Sequence, residues 1–452
     1  MNFISFIDFL ILPVYISLLY LLIKTRAIKY RESGLDKYYI TAFFLHMFGA
    51  VLYAMVIQFY YGYGDSFGFF TGSNFITNIC KEDFTLKYLF YGGDQLSSLY
   101  LSTQTENEVV GNVMINNANL LVMKFSAALS FICFNRYLII TLFFGLFSYA
   151  GLWRLFVTFN EILLDKAKRL LAITVLYTPS IWFWGSGLIK DSICIGCVGF
   201  IVNVLYKIFI KRKYSLVDVL VLSVCSYGLF VIKSYIAVAL VLAIVVFSVH
   251  YIIVTRKTAI EKWLFTIVIA IVSVTVFSLV LQSYISSLIE DSKGAVDSLK
   301  NAYESFDANG DAGSGFAGKS MDFTPGGILL SSPITIFTTL YRPFIWETKN
   351  IMMLFSSLES LLALFAFLFL VVKTRTKFFV YLFSNHFILF AFVFVMILSM
   401  VIGLTTFNFG TMVRYRIPLL PFYSFMLIAI YVKYVEKKKT DVILTAQTEH
   451  QQ

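Results

Sequence analysis

Charged side chains that could do chemistry lie in short polar segments between long apolar runs. The segments are "YYGYGDSFGFF", "PSIWFWGSGLIKDS", "YRPFIWET" and "VRYRIPLLP", and they carry Asp65, Lys190, Asp191, Arg342, Glu347, Arg414 and Arg416. Arginine forks match phosphate oxygens bidentately, lysine acts as a point charge, and a nearby carboxylate can act as a general base. The set therefore predicts a reaction in which a membrane-bound phosphate is the leaving group.

Each candidate has an expected role. Asp65 is the first candidate for the general base, and Asp94 in "YGGDQLS" is the second. The phosphate would be bound by basic residues, namely Arg342, Arg414, Arg416 and Lys190. Sugar or lipid would be contacted by aromatic faces, namely Tyr63, Trp184 and Trp346.

Ordinary structural roles compete with these assignments. Gly-Asp is common in turns, so Asp65 could be a solvated turn residue. Lys190 and Asp191 could pair with each other or cap a helix, and Lys233 could snorkel to the membrane surface. Because Arg414 and Arg416 alternate around a tyrosine, one helix face cannot hold both, and one of them could be structural.

Composition places all of these residues in a membrane protein. The chain has 452 residues, of which 59% are hydrophobic and 14% are charged, with a mean hydropathy of +0.80. A soluble domain carries about 25% charged residues. The net charge of +10 does not indicate a nucleic-acid partner, because Lys and Arg fall in short clusters between apolar runs. The sequence predicts an all-α integral membrane protein, with one polytopic domain over residues 1–452 in a lipid bilayer.

The apolar runs give the expected number of spans. With about 20 residues needed per span, we expect eleven: 3–24, 38–59, 138–159, 170–187, 192–210, 215–232, 234–254, 262–284, 351–373, 378–402 and 417–434. The basic clusters alternate consistently if the N-terminus is outside and residues 435–452 form a cytoplasmic tail. Residues 117–134 would break this alternation as a span, so we expect an interfacial or re-entrant helix there.

This topology collects the candidate residues on one side. It predicts two large extracytoplasmic loops, at 60–137, with interfacial helices, and at 285–350. We expect Arg342 to lie within reach of the span that starts near Arg414. No Cys or His pattern predicts a disulfide framework or a metal set.

Together these segments resemble the multi-spanning GT-C glycosyltransferases, in the broad protein mannosyltransferase and aminoarabinose transferase group. An acid in the first large extracytoplasmic loop matches their catalytic acid, here Asp65. "VRYRIPLLPF" is similar to the start of their late helices, and "PSIWFWGSGLIKDS" to a turn with a proline, aromatics and an acid. The resemblance covers most of residues 40–435. It departs from the pattern where an extra span precedes the acid and where Ser66 replaces a second acid that many relatives carry.

The resemblance implies an inverting sugar transfer in a bacterial cytoplasmic membrane, with the active site on the extracytoplasmic side. The donor would be a polyprenyl-phosphate sugar, and the acceptor a glycan, a lipid or a protein. No cofactor is certain, and Ser66 leaves open whether a divalent metal takes part.

Two other functions remain open from the sequence. A lipid-linked oligosaccharide polymerase or O-antigen-ligase-like enzyme would also need arginines on this side, but for a lipid pyrophosphate. A transporter or flippase of lipid-linked sugars would instead need polar residues along a path across the membrane, whereas the mid-span segments here are apolar.

Overall fold

The structure is a computed structural model that describes residues 3–103, 108–255, 325–406 and 408–449. Within these ranges every regular element is helical, which confirms the all-α prediction. The first twelve helices, α1 to α12, are Phe6–Ala27, Asp36–Met55, Asp65–Glu82, Gly93–Thr103, Glu108–Ile115, Asn117–Cys133, Tyr137–Ile162, Lys168–Leu171, Pro179–Trp184, Lys190–Tyr206, Leu216–Ile232 and Ser234–Thr255. The later helices, α13 to α18, are Pro325–Tyr341, Ile351–Thr374, Lys377–Phe383, His386–Thr405, Phe409–Tyr415 and Leu420–Glu449.

The chain divides into two compact units. Unit 1 consists of Met1–Thr158 and Leu176–Lys233, and unit 2 of Phe159–Val175 and Ser234–Gln452.

Eight helical segments in the described ranges are long and apolar enough to cross a bilayer. They are Phe6–Tyr30, Asp36–Tyr61, Tyr137–Ile162, Lys190–Lys211, Ser234–Thr255, Ile351–Thr374, His386–Thr405 and Phe409–Thr440. A helix satisfies its backbone hydrogen bonds internally, which an apolar solvent requires. The chain is therefore a multi-pass membrane protein.

These eight segments overlap eight of the eleven predicted spans. The predicted span 262–284 lies outside the described residues. The predicted span 215–232 is α11, an apolar helix of 17 residues, which is shorter than the eight segments above.

The predicted span 170–187 is wrong as a continuous helix. The chain here forms α8, a π-helical turn over Ala172–Leu176 and then α9, with extended backbone at Thr178 between them. Pro179 begins α9, where its missing N–H costs nothing and the residue before it is held out of the helical region. Apolar composition continues through this segment, but the helix does not.

The predicted span 378–402 also has a different start. The short helix α15 ends at Phe383, and the spanning helix α16 begins at His386. Asn385 is extended, and its side chain accepts a hydrogen bond from the N–H of Phe387 at 2.8 Å. This N-cap starts a new helix inside an apolar run.

The predicted loop 60–137 is largely helical. It contains α3, α4, α5 and α6, and α6 is capped by Asn116, whose side chain accepts from the N–H groups of Ala118 and Asn119 at 3.0 and 3.3 Å. The interfacial or re-entrant placement of α6 stays a prediction. In the predicted loop 285–350, residues 285–324 lie outside the described residues, and the rest forms α13 and a 3-10 turn at Ile345–Glu347.

Candidate functional site

Two glycines place Asp65 at the start of a helix. The second spanning segment ends at Tyr61, and Gly62 and Gly64 follow with φ angles of 71° and 147°. Residues with a Cβ rarely adopt these angles. The chain therefore turns at the glycines, and α3 begins with Asp65, whose side chain is exposed.

The residue after Asp65 anchors this helix start in unit 1. Ser66 is buried, and its hydroxyl shares a hydrogen bond of 2.8 Å with the hydroxyl of Tyr137. The Tyr137 ring is also buried and packs against the rings of Phe67 and Phe70. The backbone at Asp65 is thus held in place while its carboxylate stays at the surface.

Lys190 brings a positive charge near this carboxylate. It is the first residue of α10 and is half-buried. Its ammonium lies within electrostatic range of Asp65, Lys233 and Asp191. We call these four residues the acid–lysine cluster of unit 1.

Behind Lys190, Asp191 and Lys233 form a buried ion pair. The side chain of Asp191 is 0% exposed and that of Lys233 is 6% exposed. Asp191 lies in the first turn of α10, and Lys233 caps the C-terminal end of α11. Each charge is therefore also stabilised by the dipole of its own helix. Lys233 therefore does not snorkel, and its buried partner is Asp191.

A second ion pair joins the opposite ends of these helices. Lys207, just after α10, contacts Asp218 in the first turn of α11 at 2.7 Å, and both side chains are partly exposed. The antiparallel hairpin α10–α11 is thus closed by one buried pair and one partly exposed pair. The buried pair fixes the backbone that carries Lys190.

The other unit 1 candidates are less constrained. Asp94 is exposed in the first turn of α4. Tyr63 is 75% exposed, whereas Trp184 is half-buried and packs edge-on against Tyr53 with ring centroids 6.0 Å apart. Of these two aromatics, Tyr63 is the one with an open face for a sugar or lipid.

In unit 2, Arg342 forms an ion pair with Glu347. The Arg342 Nε lies 3.0 and 3.1 Å from the two carboxylate oxygens, and Glu347 also accepts from the N–H of Phe344 at 2.8 Å. The guanidinium carbon lies 5.0 Å from the ring centre of Phe409, the first residue of α17. Because α17 also carries Arg414, the expectation that Arg342 lies within reach of that segment is confirmed.

Arg416 is buried and bonded to the protein itself. Its side chain is 1% exposed. One terminal nitrogen donates to the carbonyls of Thr339 and Arg342 at 3.2 and 2.8 Å. The other donates to the Ser356 carbonyl at 3.3 Å and the Ser360 hydroxyl at 2.8 Å.

These bonds explain what Arg416 does. Thr339 and Arg342 lie at the C-terminal end of α13, where the last carbonyls have no partner within the helix. A buried cation satisfies them and opposes the helix dipole. Of the two arginines, Arg416 thus has the structural role and is no longer a candidate phosphate ligand. Arg414 is half-buried and remains a candidate.

We predict that Arg416→Met lowers the free energy of unfolding by about 2 kcal/mol, because buried carbonyls lose their donors. Arg416→Lys should lower it less, since an ammonium keeps the charge but cannot reach both helices with a planar fork. Thermal unfolding of the purified chain measures both. Equal stability of Arg416→Met and the unmodified chain would contradict the capping role.

Trp346 is the most exposed tryptophan candidate. It is 80% exposed and stacks on Phe344 with ring centroids 4.9 Å apart and an interplanar angle of 22°. Stacking holds the indole flat, so its outer face is available to a ring-shaped ligand or to the membrane interface.

The donor set near Asp65 does not fit a divalent metal site. A hard cation prefers several oxygen ligands. Here the neighbouring Ser66 is bonded to Tyr137, and the nearby charged group Lys190 is a cation. Among the described residues no group of three or more His, Cys, Asp or Glu side chains could hold a metal ion.

Comparison with protein-family models, with curated proteins and with solved structures found no match to this chain.

Proposed function

We propose that the protein is a membrane glycosyltransferase that moves a sugar from a polyprenyl-phosphate donor to an acceptor hydroxyl on the extracytoplasmic side. The main observation in favour is the placement of Lys190 within electrostatic range of the exposed carboxylate of Asp65. A base and a cation at the end of a spanning helix suit a substrate whose lipid tail stays in the bilayer. The resemblance to GT-C enzymes points the same way.

In the proposed reaction Asp65 takes the proton from the acceptor hydroxyl. The acceptor oxygen then attacks the anomeric carbon, and the bond from this carbon to the phosphate oxygen breaks. Attack from the face opposite the phosphate inverts the anomeric configuration. Lys190 stabilises the negative charge that develops on the leaving phosphate, a type of interaction worth about 3–4 kcal/mol per donor in comparable sites.

The other candidates have supporting roles in this proposal. Asp94 is the alternative base. Arg342 and Arg414 are candidates for binding lipid phosphate at unit 2, although Glu347 already neutralises part of the Arg342 charge. The Asp191–Lys233 pair positions Lys190 and does not touch substrate.

The direct test uses the full chain in vesicles with radiolabelled polyprenyl-phosphate hexose, pentose and aminopentose. We expect the label of one donor to leave the lipid and appear on an acceptor, with polyprenyl phosphate released. Use of oligosaccharide-pyrophosphate lipids alone would instead favour the polymerase or ligase. Movement of intact donor across the bilayer without cleavage would favour the flippase.

Orientation is a separate prediction, because the proposed site must face outward. The native cysteines Cys80, Cys133, Cys194, Cys197 and Cys225 are all buried, so an introduced cysteine can be labelled selectively. We expect a membrane-impermeant maleimide to label Ser98→Cys in intact cells and Gln451→Cys only after the membrane is opened. Labelling of Gln451→Cys in intact cells would show that the orientation is the reverse of the predicted one and would overturn the outward site.

A further inference from the structure

A basic cavity lies in unit 2, away from the arginine group described above. It has a volume of about 640 Å³ and is formed by the C-terminal half of α14 and the middle of α18. Three lysines and three aromatic residues line it: Lys373, Lys438, Lys439, Phe369, Tyr431 and Tyr434. Nothing in the proposed sugar transfer uses these residues.

Helix ends and ion pairs do not explain all three lysines in this cavity. Lys373 lies in the last turn of α14, where a cation opposes the helix dipole. Lys438 and Lys439 lie well before the end of α18 at Glu449, so this explanation does not reach them. The nearby Glu436 forms its ion pair with Lys166, and among the described side chains no carboxylate pairs with the three cavity lysines.

The cavity lysines lie at one end of an apolar strip formed by Phe369 and Phe365 of α14. Lys373 follows Phe369 by one turn, and its ammonium lies 5.8 Å from the centre of that ring. Lys438 follows Tyr434 by the same spacing. Phe365, one turn before Phe369 on α14, is 58% exposed. Because α14 is one of the eight candidate spans, we expect this exposed face of the helix to meet lipid tails.

The geometry points to a binding site for an anionic phospholipid. The cavity lysines would hold the headgroup phosphate, Tyr431 and Tyr434 would lie at the interface, and an acyl chain would follow Phe369 and Phe365. Tyrosines favour the boundary between headgroups and tails, and basic pockets between spanning helices bind anionic headgroups. A single dissolved phosphate would satisfy the lysines but would leave the apolar strip uncovered.

The test compares lipid binding by two matched double variants of the full chain. Lys373→Gln with Lys438→Gln removes two cavity charges, and Lys377→Gln with Lys437→Gln removes two neighbouring charges that do not line the cavity. Each purified chain is incubated in vesicles of phosphatidylglycerol and phosphatidylcholine and then extracted. The phosphatidylglycerol that stays bound to the protein is counted by native mass spectrometry. Because each juxtamembrane lysine is worth about fivefold in binding, we expect roughly 25-fold weaker retention in the cavity variant, which lacks two of them.

The control variant should retain phosphatidylglycerol like the unmodified chain. Equal retention by the cavity variant, or equal loss in both variants, would overturn the site. Inorganic phosphate at millimolar concentration should not displace the lipid. Complete displacement would identify a free-phosphate site and overturn the lipid assignment.

Discussion

Replacing Lys233 with Met is expected to lower the free energy of unfolding by about 3–5 kcal/mol, the range for removing one partner of a buried ion pair. The substitution keeps an apolar stem of similar length and removes the ammonium. Asp191, which is 0% exposed, then loses its buried partner. The helix N-terminus compensates only part of this cost.

The five buried cysteines supply the measurement. A fluorogenic thiol-reactive dye reports unfolding as Cys80, Cys133, Cys194, Cys197 and Cys225 become exposed on heating. We expect the transition of Lys233→Met to move to clearly lower temperature. All five of these cysteines lie in unit 1, so the dye reports on the unit that contains the ion pair.

The same hairpin provides the matched control. Lys207→Met breaks the ion pair with Asp218, which is partly exposed, and should cost only about 0.2–1 kcal/mol. A double variant, Lys233→Met with Asp191→Leu, should recover part of the lost stability, because no unpaired charge remains in the interior. If Lys207→Met and Lys233→Met lose equal stability, burial does not set the strength of the Asp191–Lys233 pair.

The Asp191–Lys233 pair also shows what the sequence alone does not determine, namely the partner of a buried charge. The sequence marks Lys190, Asp191 and Lys233 as unusual charges, and the structural roles that it offers for them are pairing between neighbours, helix capping and snorkelling. The buried partners Asp191 and Lys233 are 42 residues apart and meet because α10 and α11 are antiparallel helices of equal length. Hydropathy identifies helices by composition, whereas the partner of a charge depends on which helix ends meet.

Helix breaks were missed for a related reason. Long apolar runs predicted the eight spanning segments because burial in lipid selects composition over about 20 residues. The interruption at Pro179 depends on the ring of a single proline, and the interruption at Asn385 depends on a single capping side chain. The dipeptides "TP" at 178–179 and "NH" at 385–386 were the available signals, and an average over a window conceals them.

The arginines show that residue type alone does not assign a role. Arg342, Arg414 and Arg416 had equal standing as phosphate ligands in the sequence, apart from the argument that one helix face cannot hold the last two. Arg416 proved to be the internal cap because α13 ends beside it and leaves carbonyls that need donors. Nothing local to "VRYRIP" indicates that neighbour.

Replacing Asp65 with Asn is expected to lower sugar transfer by roughly 100-fold or more, the usual cost of losing a general base. The amide has nearly the same size as the carboxylate but cannot accept the acceptor's proton. Because the side chain is exposed at the first position of α3, the loss of stability should not exceed about 1 kcal/mol. Transfer from the polyprenyl-phosphate donor is measured in vesicles, and thermal unfolding is measured on the same preparation.

Asp94→Asn is the matched control, because Asp94 is also an exposed carboxylate in the first turn of a helix. It should retain most of the activity, because in the proposed reaction Asp65 is the base and Lys190, which interacts electrostatically with Asp65, stabilises the leaving phosphate. Asp65→Asn should still bind the donor lipid, because its loss affects proton transfer and not phosphate binding. If Asp65→Asn transfers sugar at nearly the unmodified rate, Asp65 is not the base. If Asp94→Asn alone abolishes transfer, the base belongs to α4, and Asp65 is not the base.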